Sequence, residues 1–264
     1  MNPNETLLPL AREALAATFR LKYGQSGEFG WGPRMRARFG YFNPDDQYET
    51  LVATLVSNTT RWLDVGCGRD LFPSNRRLSR ELASRCAFLT GVDPDDTLDQ
   101  NPFVHAKAKV ATEDFTTDRG FDLITMRMVA EHIAQPERVV ATLARALNPG
   151  GRLVIYTVNR FSPVPLVTGL VPFKLHHPIK RILWRTEEQD TFPTCFKMNT
   201  RRRLQELTAA VGLREEAFAY LDDCRTFGRF RALLFGELTL WRLLKAVGLR
   251  YPENCLLGVY QRPM

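Results

Sequence analysis

One stretch constrains this chain more than any other: Trp62-Leu63-Asp64-Val65 runs directly into Gly66-Cys67-Gly68. A short apolar run bounded by glycine reads as a buried strand. The Gly-x-Gly turn that follows supplies left-handed backbone, and the missing Cβ atoms let a ligand approach the main chain. A dinucleotide site would want a third glycine opening the next helix, and Asp70 stands there instead, after Arg69. Asp64, at the strand end, sits badly beside a pyrophosphate and suits a ligand that carries an ammonium group.

From Arg61 onward, short β-rich runs alternate with helical patterns. Phe88 to Val92 ends at Asp93, Phe121 to Met126 precedes a helix over Glu137 to Leu147, and Arg152 to Thr157 follows the turn Asn148-Pro149-Gly150-Gly151. A further helix is expected around Asn75 to Cys86. This alternation predicts βαβ units, a parallel sheet and an α/β fold. Ala217 to Leu221 and Leu256 to Tyr260 are expected to add edge strands. Ahead of this core, residues 5–23 and Tyr48 to Val56 follow helical spacing. Between them, Gly24 to Pro44 is rich in Gly, Pro, aromatics and Arg and reads as an ordered arm without regular structure. Five prolines between 158 and 200 exclude a continuous helix there, whereas 228–249 reads as one amphipathic helix. Both segments are expected as insertions over one end of the sheet.

A second acidic side chain sharpens the ligand. Asp93 closes the next strand about 20–30 residues after the glycine turn, where a carboxylate hydrogen-bonds two ribose hydroxyls. The competing reading is that Asp93-Pro94-Asp95-Asp96 is only a turn, for which those residue types are favoured.

The stretches Leu63–Gly68, Gly91–Asp96, Phe121–Ile133 and Leu147–Asn159, in this order and spacing, resemble the successive motifs of class I S-adenosylmethionine-dependent methyltransferases. They are most similar to the branch typified by the ubiquinone and menaquinone biosynthesis enzymes. The resemblance covers about residues 60–160. It implies a Rossmann-like, seven-stranded, mostly parallel sheet with helices on both faces and a terminal reversed hairpin. S-adenosyl-L-methionine would lie across the C-terminal ends of the strands. Asp64 and Gly66 would contact its methionyl part and Asp93 its ribose, and Glu113 and Asp114 would face the adenine. Cys67, Gly68 and Pro94 complete the expected contact set, with Arg127 at the methionyl end or the acceptor. The chain departs from the family at Asp70 and at Leu71-Phe72-Pro73, which delays the following helix.

The division that follows is an N-terminal helical cap over 1–56, a cofactor-binding core over 57–160, and a remainder over 161–264 with insertions at 161–200 and 222–250. Methyl transfer asks mainly for alignment and exclusion of water, because the sulfonium is already a good leaving group. An oxygen acceptor also benefits from a base, and His132, His176 and His177 are the candidates. For His132, in the Glu131-His132 pair, the plainer alternative is that it orders a strand-to-helix junction. Arg36 and Arg38 could pair with the cofactor's carboxylate or an acidic acceptor, while Tyr23, Trp31, Tyr41 and Phe42 are expected to pack on the core.

Composition narrows the alternatives. The net charge of +7 invites nucleic acid, but the basic runs lack the interleaved aromatics of a single-strand platform. Five scattered cysteines form neither a zinc spacing nor a disulfide framework, so no metal is expected. No run of 18 uncharged apolar residues and no basic-then-apolar leader occurs, which points to the cytoplasm. The expected function is methyl transfer to a small acceptor, O-directed, on a natural product, sugar or quinone-like molecule. The alternatives are a lipid-linked acceptor at a membrane surface, with peripheral contact through Val164 to Phe173 and the helix around Trp241, or a non-catalytic cofactor- or RNA-binding protein on the same fold.

Overall fold

The computed structural model describes residues 10–162, 193–225, 228 and 230–264. Seven strands alternate with helices as the periodicity requires. The strands are β1 (Arg61–Val65), β2 (Phe88–Val92), β3 (Ala106–Ala108), β4 (Phe121–Arg127), β5 (Leu147–Val158), β6 (Arg214–Asp222) and β7 (Glu253–Gln261). The helices are α1 (Arg12–Tyr23), α2 (Trp31–Phe39), α3 (Pro44–Leu55), α4 (Arg76–Arg85), α5 (Pro136–Ala146), α6 (Arg201–Ala210) and α7 (Arg231–Ala246).

The strand order is β3-β2-β1-β4-β5-β7-β6. β1 to β5 pair in parallel, and β7 runs antiparallel to both β5 and β6. This is the expected α/β, Rossmann-like, seven-stranded sheet with its terminal reversed hairpin. Because strand side chains alternate, the sheet carries an apolar layer on each face. Trp62, Leu123, Val154 and Tyr156 meet α3 and α4 through Tyr48, Val52, Leu78 and Leu82. On the other face, Leu63, Ile124, Met126 and Ile155 meet α5 and α6 through Val139, Val140, Leu143 and Leu204. Reversal of strand order around β1 and β4 places a crevice outside their C-terminal ends, where ligands of open α/β sheets bind.

Two expectations are corrected. Gly24 to Pro44 is not an irregular arm, since α2 occupies Trp31–Phe39. Pro33 falls in the first turn, where its missing N–H has no helical partner to lose, and Gly40 closes the helix at φ +68°. Glycine and proline therefore delimit the helix, and Trp31, Met35 and Phe39 form its packed stripe against Leu234, Leu238 and Trp241 of α7. β7 is likewise no edge strand: it lies between β5 and β6, and only β6 is at that margin. Thr200 caps α6 as its residue type suggests, its Oγ1 accepting from the Arg203 N–H at 3.2 Å. Among the described residues, no helix is long and apolar enough to cross a membrane.

Candidate cofactor site at the strand tips

The turn after β1 is built by two different demands for glycine. Gly66 has φ +66°, and a Cβ there would stand 2.2 Å from Val129 Cγ2. Backbone and packing therefore both exclude a side chain. Gly68 has φ +43°, but an added Cβ would meet no protein atom nearer than 3.7 Å. Such a Cβ would only touch Thr97 Oγ1 and Asp93 Oδ2, so at this position it is the left-handed backbone that calls for glycine. Cys67 points the other way: its buried thiol fills the hollow left by Gly91, where a Cβ would be 2.5 Å from the sulfur. Cys67 thus presents backbone, not its side chain, and burial pushes its thiol pKa up.

Two side chains hold this turn: Asn101, which the sequence did not single out, and Asp70, which it marked only as a departure from the family. Asn101, buried, donates from Nδ2 to the Gly68 carbonyl at 3.0 Å and receives the Phe103 N–H at 3.0 Å. In sequence it looks like one more turn residue before Pro102. Asp70, at the position where a small residue was expected, is buried and accepts from Ser79 Oγ at 2.8 Å, with Arg76 Nε at 3.2 Å. Ser79 Oγ in turn accepts from the Phe72 N–H at 3.1 Å, so Asp70 ties the delayed loop to α4, which Asn75 caps.

Asp64 lies on the α3 face of the sheet, directly across from Thr125 of β4. The Trp62 indole Nε1 donates to Thr125 Oγ1 at 2.6 Å, and Thr125 donates to Asp64 Oδ1 at 2.6 Å. Burial drives the Asp64 carboxyl up to about 7, opposed by the Thr125 hydroxyl and the Arg127 guanidinium and assisted by the negative charge of Asp93. A carboxyl held in that state gains most from a cationic partner.

Arg127, at the tip of β4, reaches Asp45 of α3 at 3.5 Å. Asp45 also accepts from Tyr156 Oη at 3.1 Å and pairs with Arg225, which grips Asp223 at 2.6 and 2.7 Å. These cations hold the Asp45 carboxyl below the usual range despite its burial. Arg36 is buried inside the N-terminal helices, 3.3 Å from Asp46 and 4.8 Å from the Tyr23 ring centre, so its charge is neutralised away from the strand tips. Arg38 is exposed.

Asp93 and Asp95 both make turn bonds: Asp93 Oδ1 accepts from the Asp95 N–H at 2.9 Å and Asp95 Oδ1 from the Thr97 N–H at 2.8 Å. Asp93 also reaches across to the turn after β1, its Oδ2 accepting from the Gly68 N–H at 2.9 Å. A carboxylate oxygen has two lone pairs, so each keeps one acceptor position. Pro94 beside it is exposed. Glu113 and Asp114 lie in a short turn, Thr112–Asp114, after β3. Asp114 extends outward to Arg138 at 3.0 Å, and the Glu113 carbonyl receives Thr142 Oγ1 at 3.2 Å.

Beyond β4, Met128 adopts φ +51°, rare for a side chain of its size, and the turn Ala130–His132 follows. Glu131 is buried and accepts from Thr157 Oγ1 at 2.8 Å, which itself accepts from Asn199 Nδ2 at 2.7 Å. His132 Nδ1 lies 3.0 Å from the Pro193 carbonyl. A carbonyl only accepts, so Nδ1 carries the proton and Nε2 is the basic nitrogen of the neutral ring. His176 and His177 lie outside the described residues.

The structure therefore brings Asp64, Gly66, Gly68 and Asp93 together on neighbouring strand tips and sets Arg127 and His132 around the end of β4. Residues 33–217 match the family model of a methyltransferase domain. Over 107 residues the chain is 36% identical to the ubiquinone biosynthesis O-methyltransferase of Coxiella burnetii (strain Dugway 5J108-111), covering 37% of this chain and 43% of that one. The enzyme of the same name from Idiomarina loihiensis is 33% identical over 137 residues, covering 46% of this chain and 54% of that one. The chain thus spans about half the length of the curated relatives it matches. An S-adenosylmethionine dependent methyltransferase from Mesorhizobium loti has the same fold, with a TM-score of 0.52 at 16% identity over 83% of this chain and 98% of that one. Since the family model extends over well more than half of the sequence, the chain belongs to the methyltransferase domain family.

Proposed function

We propose that this chain is an S-adenosylmethionine-dependent methyltransferase acting on a small acceptor, through an oxygen of a quinone-like ring. The observation that carries the reading is Asp93, whose two oxygens each hold one backbone N–H and keep one acceptor position beside Gly68, which has no Cβ. A vicinal diol such as ribose fits that pair of positions. Asp64, buried and raised to about 7, fits the ammonium of the same molecule one strand away. Bound there, S-adenosylmethionine supplies an electrophilic methyl group on a sulfonium. In this reading, Gly66 and Gly68 give close backbone approach, Arg127 orients the methionyl end or the acceptor, and His132 Nε2 takes the acceptor's hydroxyl proton. Glu113 contacts the adenine edge, with Asp114 and Pro94 on its rim and Cys67 contributing backbone alone. Residues 1–56 serve as the cap, 57–160 as the cofactor core and 161–264 as the acceptor side, to which His176 and His177 belong. The acceptor class is supported by the ubiquinone biosynthesis relatives.

A lipid-linked acceptor at a membrane surface is the second reading. It is favoured by the continuity of the site with α7: Arg225, which grips Asp45 beside Arg127, stands in the connection that leads into that helix.

Calorimetric titration with S-adenosylhomocysteine and with NAD tests the cofactor, with micromolar binding of the first and none of the second expected. Transfer of labelled methyl to phenolic acceptors with and without an isoprenoid tail then separates the two readings. NAD binding without S-adenosylhomocysteine binding would overturn both.

A further inference from the structure

α7 is apolar on two sides, one covered and one exposed. Leu234, Leu238 and Trp241 pack against α2 and Tyr41, and Glu237 among them is buried, with Tyr251 Oη donating to it at 2.9 Å. About 130° around the helix lies a second row, at 100° per residue. It comprises Leu233 (50% exposed), Gly236, Leu240 (51%), Leu243 (61%) and Val247 (71%), whose N–H still bonds to the Leu243 carbonyl. Successive members stand 3, 4, 3 and 4 residues apart. That is the 3.5-residue repeat by which one helix lays a seam along another, narrower than the stripe that faces a globular core. No charge falls on the row, and the residues beside it are Ala232, Thr239 and Leu244. Arg231, Arg242 and Lys245 lie about 140–160° from its midline. There their cationic groups sit 5.8, 5.9 and 4.9 Å from the ring centres of Trp31, Phe39 and Trp241. Arg250, past the helix end, bonds to Glu253.

Gly236 points to what covers the row. Glycine is a weak helix former, and here it stands inside a 16-residue helix. A Cβ at this position would meet nothing within 4 Å, so packing within the chain does not call for its absence. Close approach of a second helix backbone does. A row with its glycine one turn before a leucine is complementary to itself when turned end over end, because each leucine then finds the hollow over the other glycine.

We propose that this row is a homodimer interface, in which α7 packs antiparallel on α7 of a second copy about a twofold axis level with Leu238. In that register Gly236 of each copy receives Leu240 of the other, and Leu233 meets Leu243. The uncharged row brings no like charges together, and the antiparallel setting places opposite helix-dipole ends side by side. A contact of one helix per copy is at the small end of specific interfaces, so dissociation in the micromolar range is expected.

The test is sedimentation velocity of the full chain from about 1 to 100 μM, across which a monomer should give way to a dimer. Leu240→Glu/Leu243→Glu sets carboxylates against their copies in the partner and should weaken association by about 100-fold or more. Gly236→Ala introduces the better helix former, yet its methyl group enters the contact. Association should fall by about fivefold or more, while the unfolding temperature of the dilute protein does not fall. Arg242→Gln/Lys245→Gln, away from the row, should leave the dimer unchanged. S-adenosylhomocysteine titration of each variant reports folding, because none of these residues belongs to the proposed cofactor site. A chain that stays monomeric throughout the range, or a dimer that both row variants leave intact, would overturn the proposal. Loss of the dimer in the Arg242/Lys245 variant alone would do so too and assign association to the basic side of the helix.

Discussion

The Gly68 N–H donates to Asp93 Oδ2 at 2.9 Å, joining the turn after β1 to the carboxylate at the tip of β2. The bond positions Asp93 before any ligand arrives, and with the Asp95 N–H on Oδ1 each oxygen keeps one acceptor position. Pre-positioning of this kind lowers the ordering cost of binding.

Asp93→Ala should therefore weaken S-adenosylhomocysteine binding by about 1–3 kcal/mol, through ribose hydroxyls left without acceptors. Calorimetry on the purified variant measures this directly. Unchanged affinity would place the ribose elsewhere.

Asp64 makes binding depend on pH. Burial raises its carboxyl from 3.8 to about 7, so between those values the folded chain binds more protons than the unfolded one. Stability contributed by this group consequently falls as pH rises from about 4 to about 7. A ligand ammonium favours the ionised form, so binding below pH ~7 releases a proton and affinity climbs by up to about tenfold per pH unit. At pH ~6 the measured binding enthalpy should vary with the ionisation heat of the buffer, and Asp64→Asn should abolish that variation. A parent protein whose binding heat ignores the buffer would contradict the assignment.

Gly66→Ala meets two penalties that can be separated. Left-handed backbone costs an alanine about 1–2 kcal/mol, and the contact with Val129 Cγ2 adds a packing cost of about 1–3 kcal/mol. In urea unfolding, Gly66→Ala should lose the sum, and Gly66→Ala/Val129→Ala should recover the packing part relative to Val129→Ala alone. Full additivity would show that Val129 does not press on the turn.

For His132, the Pro193 carbonyl fixes the proton on Nδ1, and taking the acceptor's proton is the role proposed for Nε2. His132→Ala should lower the rate of methyl transfer by about 10²–10⁴-fold, with S-adenosylhomocysteine affinity unchanged. A loss confined to affinity would give this histidine a role in ordering the junction and none in proton transfer.

The strands that form the centre of the sheet could be read from the sequence because Trp62, Val65, Ile124, Val154 and Ile155 combine apolar runs with clear boundaries. β3 could not: Ala106-Lys107-Ala108 has no β-branched or aromatic residue, and only the parallel ladder to Thr90, Gly91 and Val92 makes it a strand. α2 was hidden for the opposite reason, since Gly30, Pro33 and Gly40 look like breaks and serve as its ends. Within the site, Asp64, Gly66, Gly68 and Asp93 stood out by spacing, whereas Asn101 did not and Asp70 stood out only as a departure without a role. Asn101 acts through a carbonyl 33 residues away and Asp70 through Ser79, and no local pattern encodes either partner.

By itself the sequence determined which central segments are extended, where the chain turns by glycine, and which two carboxylates close neighbouring strands, because these follow from local sterics and short apolar runs with clear ends. Only the tertiary structure decided that Cys67 faces inward to Gly91, that Arg36 is consumed by Asp46, and that α7 turns its leucines outward. Those outcomes depend on which surfaces meet across long stretches of chain, and a side chain's charge or apolar area has no fixed use until its neighbours are in place.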